Sequence, residues 1–220
     1  MFSLTPFTLL DYPHKTACIV WFAGCNMRCL YCYNPDIVLG KGKIDFTNVL
    51  NFLKTRKGLL DGVVLSGGEC TLHQNITDFI KEIKTMGFAV KIDTNGSNPK
   101  ILNSLIHDRL IDYVALDFKS LPHTFKHLTQ SGLFSEFEES LSLLIESNIP
   151  FEVRTTFHSS LISEDDFVKM IQYLQTKNFE GNYYVQHFMN NVPTLSELDH
   201  SNKEIQHKNF STPKIKVIFR

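Results

Sequence analysis

The sequence predicts an α/β fold, a partial (βα)6 TIM-like barrel with a parallel sheet that is open on one side. Six short apolar segments alternate with amphipathic helices along the chain. Such alternation is typical of parallel strands joined by right-handed crossovers. A closed barrel of eight units needs about 250 residues, whereas this chain has 220, so six units in an open arrangement fit better.

The predicted strands are short and mostly continuous in their apolar character, as buried parallel strands are. The fifth, Phe151–Phe157, instead alternates apolar and polar residues. The six segments are residues 16–23, 62–65, 88–92, 113–116, 151–157 and 183–188.

The helices are predicted from apolar residues at helical spacing and from their end signals. Asn75 and Ser163 stand at candidate N-caps, Asn98 precedes a proline at a first helical position, and Gly87 occupies a C-terminal glycine position. The predicted helices cover residues 45–56, a segment beginning at 76, a segment beginning at 99, 134–146 and a segment beginning at 164.

Composition indicates one domain over residues 1–220, with a core at about 8–188. Hydrophobic residues make up 43% of the chain, enough for a full core. Residues 190–211 are polar without a period, and residues 214–219 are apolar enough for a final edge strand.

Charge and hydropathy exclude several kinds of partner. The 22 basic and 23 acidic residues leave no basic surplus for nucleic acid. Residues 1–8 carry no positive charge before their apolar positions, unlike a signal peptide, and the apolar run at 18–24 is too short to span a bilayer. We therefore expect a cytoplasmic protein that binds neither membrane nor nucleic acid.

Polar residues follow every predicted strand at its carboxyl end, where parallel α/β folds bind ligands. A one-residue slip in register would turn the fifth and sixth strands' side chains away from the barrel mouth. The residues are Gly67, Gly68 and Glu69 after the second strand, Asp93, Thr94 and Asn95 after the third, Asp117 and Lys119 after the fourth, Arg154, Thr156 and His158 on or after the fifth, and Gln186 on the sixth.

Three of the five cysteines form a C-x3-C-x2-C motif, Cys25, Cys29 and Cys32. An odd number of cysteines argues against a disulfide framework. Three interpretations remain. A zinc-binding interaction module would need a fourth ligand, such as Cys70 or a histidine. Buried free thiols would not need this spacing. An iron–sulfur cluster held by three thiolates would leave one iron open for a substrate.

The cysteine motif, with aromatic Tyr31 before its last cysteine and Gly67-Gly68-Glu69 at a strand end, resembles that of radical S-adenosylmethionine (SAM) enzymes. The resemblance extends over about residues 8–188. It implies one [4Fe–4S] cluster held by Cys25, Cys29 and Cys32, with SAM bound to the open iron. In this family an electron from the cluster cleaves SAM to methionine and a 5′-deoxyadenosyl radical, which abstracts a hydrogen atom from the substrate.

The resemblance also implies a set of cofactor-binding residues, with no catalytic residue beyond the cofactor ligands. Tyr31, Cys32 and Tyr33 would line the adenine pocket. The methionine moiety would lie along a strand end, and charged residues would hold its polar groups or, between Asp93 and Asp117, a small metal ion. These further residues are Gly67, Gly68, Glu69, Asp93, Asp117, Phe118, Lys119 and Gln186.

Within the family, four segments resemble the activating enzymes of glycyl radical proteins, most of all those of anaerobic ribonucleoside-triphosphate reductase. They are residues 9–13, 32–35, 93–96 and 116–119. Relatives often have Gly where His14 stands and His where Tyr33 stands. The resemblance implies hydrogen abstraction from a backbone glycine of a partner protein and an external reductant such as flavodoxin or ferredoxin. The alternative is a radical SAM enzyme acting on a small purine-like molecule.

Overall fold

A computed structural model describes residues 1–202 and 204–220. It contains an eight-stranded sheet whose strands follow one another in chain order, with parallel pairs throughout except for the antiparallel first pair. The strands are β1 (Ser3–Thr8), β2 (Ala17–Phe22), β3 (Gly62–Gly67), β4 (Ala89–Thr94), β5 (Tyr113–Asp117), β6 (Phe151–Phe157), β7 (Gly181–His187) and β8 (Ile215–Phe219).

Helices fill the connections between the parallel strands. They are α1 (Pro35–Leu39), α2 (Phe46–Lys54), α3 (Ile76–Thr85), α4 (Pro99–His107), α5 (Pro122–Thr129), α6 (Phe134–Glu146) and α7 (Glu164–Thr176), with 3-10 turns at Cys70–Leu72 and Glu204–His207. Over residues 1–202 and 204–220, none of the helices combines the length and apolar character needed to cross a membrane.

The two faces of the sheet differ in what they bury. On one face, strand residues such as Val20, Leu65 and Leu116 join the main core formed with the helices. On the other face, Ala17, Ile19 and Val64 form a small separate cluster with Tyr12. Side chains alternate between the two faces of a sheet. The residues of this second face that lie nearer the carboxyl ends of the strands supply the walls of the site.

The fold class is confirmed, since the sheet is mostly parallel and β1 does not pair with β8. The bounds of β6 and α6 match those expected, and β8 confirms the final edge strand. Ser163 Oγ caps α7 by accepting from the Asp166 amide, as expected, and Asn98 caps α4. Asn75 precedes α3 without capping it through its side chain.

Three elements were not predicted from the sequence. Strand β1 has no alternating burial pattern because it pairs only at the edge of the sheet. Helix α1 has five residues, too few to show a period. Helix α5 begins without a side-chain cap and has histidine, threonine and lysine on its exposed face.

Candidate active site

A cavity of about 270 Å³ opens where the parallel strands end. It brings together the site residues expected from the sequence except Glu69, Phe118 and His158. The expected residues that line it are Cys25, Cys29, Tyr31, Cys32, Tyr33, Gly67, Gly68, Asp93, Thr94, Asn95, Asp117, Lys119, Arg154, Thr156 and Gln186.

One wall of the cavity is the cysteine loop, residues 25–34, which follows β2. Its first half is held by the end of α5. The Arg28 amide donates to the Thr129 carbonyl at 2.8 Å, and the Leu30 amide donates to the Leu128 carbonyl at 3.0 Å. These two backbone bonds need no particular side chain, and Arg28 adds two side-chain bonds within the loop, from its Nη1 to the Cys25 and Met27 carbonyls at 2.6 and 2.9 Å.

The other side of the cysteine loop is held by the tail segment, residues 188–202. The Leu195 amide donates to the Cys32 carbonyl and the Ser196 amide to the Leu30 carbonyl, both at 3.2 Å. Tyr33 adds a side-chain contact, since its Oη accepts from the Met189 amide at 2.6 Å. The polar tail is thus an ordered part of the site.

The three thiols of the cysteine loop are free of disulfides and face the cavity. Burial raises the pKa of Cys25, and it raises the pKa of Cys29 to about 11. The described residues contain no group of three or more His, Cys, Asp or Glu side chains arranged to hold a metal ion. In a [4Fe–4S] cluster each thiolate binds a different iron, so its ligands need not converge on one point.

Glycines 67 and 68 form the second wall, at the end of β3. A Cβ at Gly68 would stand 1.8 Å from the Gly24 carbonyl oxygen, and Gly67 has φ +116°. The Glu69 amide donates to that same Gly24 oxygen at 2.9 Å. Both positions therefore require glycine because the strand end packs directly on the chain entering the cysteine loop.

Glu69, which was expected among the cofactor-binding residues at this strand end, does not line the cavity. Its carboxylate is fully buried and accepts from the Thr71 amide at 3.1 Å, from the Thr71 and Thr94 hydroxyls at 2.6 and 2.9 Å, and from the Asn95 amide at 2.7 Å. Burial raises its pKa, although these hydrogen bonds oppose the shift. Glu69 joins the end of β3 to the end of β4.

The third wall is a charged network at the ends of β4, β5 and β6. Arg154 Nε donates to Asp117 Oδ1 at 2.9 Å and Nη1 to Asp93 Oδ2 at 3.3 Å. Lys91 pairs with Asp93, and Lys119 donates to Asp117 at 3.0 Å. Burial opposes ionisation of Asp93, but Arg154 and Lys91 lower its pKa to about 2. The pKa of Asp117 is also lowered, by Arg154 and Lys119 acting against burial.

Two other candidates lie away from the cavity. The Phe118 ring is fully buried and stacks on Phe137, with ring centroids 5.0 Å apart. His158 is buried too, and its Nε2 lies 2.9 Å from the Asp199 carbonyl oxygen. Phe118 therefore belongs to the core, and His158 helps to attach the tail segment. Neither side chain reaches a ligand in the cavity.

Some side chains reach the cavity without a hydrogen-bond partner among residues 1–202 and 204–220. Two of them, Thr156 and Gln186, lie opposite each other on the neighbouring strands β6 and β7. The fully buried Tyr31 hydroxyl is a third. Several further lining residues were not expected from the sequence, although alternation along a strand or adjacency to a motif was an available signal: Asp11, Trp21, Asn34 and Ser66.

Comparison with known proteins identifies the family. The Radical SAM superfamily model matches residues 19–174. A Methanocaldococcus jannaschii protein named as a glycyl-radical enzyme activating enzyme is 32% identical over 174 residues, which cover 74% of this chain and 70% of the relative. The GTP 3′,8-cyclase of Petrotoga mobilis is 28% identical over 185 residues, covering 73% of this chain and 57% of the cyclase.

Solved structures agree on the fold. The crystal structure of Streptococcus suis SuiB bound to S-adenosylmethionine superposes with a TM-score of 0.67 at 11% identity, covering 92% of this chain and 49% of SuiB. This chain thus corresponds to about half of that protein. Together with the cysteine loop, the glycine strand end and the cavity, these matches show that the chain belongs to the radical SAM superfamily, whose enzymes use a [4Fe–4S] cluster and SAM.

Proposed function

We propose that this protein is a glycyl-radical enzyme activase. It would hold one [4Fe–4S] cluster through Cys25, Cys29 and Cys32, bind SAM in the same cavity, and remove a hydrogen atom from a backbone glycine of a partner protein. The observation that carries the proposal is the convergence of the three thiols, the glycine strand end and the charged network on one cavity.

The cavity walls suit the parts of SAM. The backbone of Gly67 and Gly68 can accept the methionine amino group without a side chain in the way. Asp93 and Asp117 supply negative charge for that cation, and Lys119 and Arg154 supply positive charge for the carboxylate. The backbone at Tyr31, Cys32 and Tyr33 would line the adenine, with Gln186 offering a free amide to the nucleoside.

When bound, the cluster and SAM supply one-electron cleavage of a carbon–sulfur bond that leads to hydrogen abstraction. The chain's own residues position the reactants. The cysteine loop is fixed by backbone bonds on both sides, and the charged network keeps its carboxylates ionised. We propose an external electron donor of the flavodoxin or ferredoxin class and a cytoplasmic setting, in which thiols stay reduced.

A peptide substrate is favoured by the open sheet and by the relatives. Edges β1 and β8 do not pair, so the sheet is not closed into a barrel, and we propose that a loop of another protein approaches the cavity at the strand ends. The matched relative from Methanocaldococcus jannaschii carries an activating-enzyme name. Abstraction would break the glycine Cα–H bond, with the hydrogen atom passing to a 5′-deoxyadenosyl radical to give 5′-deoxyadenosine and the unpaired electron remaining on Cα. We propose anaerobic ribonucleoside-triphosphate reductase as the partner.

A second candidate function is radical chemistry on a small purine-like molecule, which is favoured by the similarity to a GTP 3′,8-cyclase. The Thr156 and Gln186 side chains have no hydrogen-bond partner within the described part of the chain, and they could bind a purine as well as a peptide amide. The two candidates differ in the source of the hydrogen atom, and isotope transfer can therefore separate them.

The first experiment tests the cofactors. Protein reconstituted anaerobically with iron and sulfide should cleave SAM to 5′-deoxyadenosine and methionine after reduction by dithionite. Cys29→Ser should abolish cleavage, whereas Cys18→Ser, in the core on β2, should retain it as the matched control. One bound zinc and no SAM cleavage would instead support a zinc-binding module.

The second experiment tests the substrate. Anaerobic ribonucleoside-triphosphate reductase produced with α-deuterated glycine should yield deuterated 5′-deoxyadenosine, and the unlabelled reductase should give a doublet radical signal split by the remaining α-hydrogen. If the reductase gives neither result and GTP is consumed with 5′-deoxyadenosine formation, the activase proposal fails and the small-molecule function replaces it.

A further inference from the structure

The three cysteines of the loop differ in the hydrogen bonds that reach their sulfur atoms. Cys25 Sγ accepts from two N–H groups, the Met27 amide at 3.4 Å and the Asn95 side-chain amide at 3.7 Å. Across residues 1–202 and 204–220, no N–H or O–H group donates to the sulfur of Cys29 or Cys32. The sulfur of Cys25 is therefore in a distinct electrostatic environment.

The orientation of the Asn95 amide is fixed by its other partners. Its Oδ1 accepts from the Ser97 amide at 2.9 Å, which turns Nδ2 towards the cysteine loop. There Nδ2 also donates to Asn26 Oδ1 at 3.1 Å. Exchanging the oxygen and the nitrogen would set two donors against each other at Ser97 and two acceptors at Asn26. The donor towards Cys25 thus follows from the network.

The backbone of Asn95 is anchored just as firmly. Its amide donates to the buried Glu69 carboxylate at 2.7 Å, and Glu69 also binds Thr71 and Thr94. Asn95 itself is 5% exposed. In such a dry environment a hydrogen bond is stronger than in water, so the amide exerts a well-defined effect on the sulfur atom it faces.

We propose that Asn95 is a positioning residue that raises the reduction potential of the cluster through the Cys25 thiolate. An N–H group directed at a thiolate withdraws electron density from it and stabilises the additional electron of the reduced state; hydrogen bonds to the sulfurs are among the determinants of cluster potential. Glu69 supports this role by fixing the Asn95 backbone. The inference rests on the cluster assignment within the proposed function and not on the identity of the partner protein.

The test uses two substitutions in the reconstituted full chain. Asn95→Leu removes the donor without adding charge, and Asn95→Asp removes it while keeping the acceptor for Ser97. At a fixed donor potential both should lower the ratio of reduced to oxidised cluster several-fold, measured by electron paramagnetic resonance (EPR) during a redox titration. A tenfold change in this ratio corresponds to about 59 mV for a one-electron couple.

Ser97→Ala is the matched control, because it removes the hydroxyl that binds Asn26 but keeps the backbone amide that orients Asn95. Its cluster should titrate as in the unmodified protein. If Asn95→Asp lowers the ratio and Asn95→Leu does not, added charge explains the effect and the hydrogen-bond proposal is overturned. An unchanged ratio in both variants would overturn it as well.

A measurement on the unmodified protein covers the case in which the variants do not fold. With asparagine labelled by ¹⁵N in its side chain, pulsed EPR of the reduced cluster should detect a ¹⁵N coupling. The absence of any such coupling would contradict a direct contact between an asparagine amide and a cluster ligand. Failure of SAM cleavage with a normal coupling would count against the proposed function and leave this inference intact.

Discussion

Two walls of the cavity are held in place by different means. The cysteine loop is fixed by backbone hydrogen bonds to the end of α5 and to the tail segment. The charged network is fixed by its own side chains, with Arg154 placed between Asp93 and Asp117. Replacing the half-buried Cys32 therefore leaves the bonds that fix the loop in place, whereas replacing a side chain of the network removes the bonds that fix the network. Substitutions in the network should reduce stability, and substitution of Cys32 should mainly affect cofactor binding.

Removing Arg154 should cause the largest loss of stability among the substitutions that test this difference between the walls. Arg154→Met leaves two largely buried carboxylates with one lysine partner each, and breaking a buried ion pair costs about 3–5 kcal/mol. We expect a loss of about 3 kcal/mol in the free energy of unfolding, measured by urea denaturation. The control is Lys177→Met, whose partner Glu138 is partly exposed, with an expected loss of at most about 1 kcal/mol. Equal losses would contradict the view that the network stabilises the fold.

Adding a methyl group at Gly68 should give the next largest effect. The new Cβ would meet the Gly24 carbonyl oxygen at 1.8 Å, so the backbone must shift, and overpacking costs about 1–3 kcal/mol. Gly68→Ala should destabilise the apoprotein even in the absence of SAM, as urea denaturation can measure. Gly132→Ala, where nothing lies within 4 Å of the added atom, is the control. If Gly68→Ala does not change the stability of the apoprotein, contact with the ligand explains the need for glycine at this position.

The charged network should also make stability depend on pH. The pKa of Asp93 is lowered from 3.8 to about 2 in the folded state. Its contribution is therefore present above about pH 4 and is lost as pH falls towards 2, a change of about 2 kcal/mol by linkage. Denaturation at several pH values should show this loss. Asp93→Asn should flatten the slope in that window, and an unchanged slope would exclude Asp93 as its source.

A smaller effect is expected where the loop depends on a side chain. Tyr33→Phe removes the acceptor for the Met189 amide while keeping the ring that stacks on Phe188 at 5.3 Å. The expected loss is about 1 kcal/mol, the usual contribution of one hydrogen bond. Hydrogen exchange should show faster exchange at the Met189 amide. Unchanged exchange would mean that the tail is held by its other contacts alone.

The smallest effect on stability is expected at the thiols themselves. Cys32→Ser conserves the shape of a half-buried side chain that accepts no hydrogen bond among the described residues, so the apoprotein should unfold within about 0.5 kcal/mol of the unmodified protein. Iron and sulfide analysis should nevertheless show loss of the cluster. A large loss of apoprotein stability would contradict the view that the two walls differ in how much their side chains stabilise the fold.

Sequence patterns predicted the strand framework and much of the site because both depend on side chains. Alternation in β6 places Arg154 and Thr156 on the cavity face, and the strand-end motifs place Asp93 and Asp117 beside each other. The cysteine spacing identified the loop. These signals are periodic or local, and both kinds can be read from one sequence.

The features that the sequence did not reveal depend on backbone contacts between distant segments. The bonds from Leu195 and Ser196 to the loop use amides that any residue except proline has. From the sequence, glycine at position 68 was explained by contact with the ligand. In the structure, the atoms that would clash with a side chain there belong to the backbone of Gly24. Glu69 was expected at the cofactor site because it completes the strand end with the glycines, but its side chain caps the adjacent 3-10 turn and is fully buried.

The contact between the tail segment and the cysteine loop has a consequence for the order of biosynthesis. Residues 195 and 196 are synthesised long after residues 30 and 32, so the loop carbonyls lack these partners while most of the chain emerges from the ribosome. Contacts this distant in sequence form late, since closing a long loop costs entropy first. The loop reaches its final shape only after the tail segment has been made, and insertion of iron and sulfide is therefore best suited to a post-translational step.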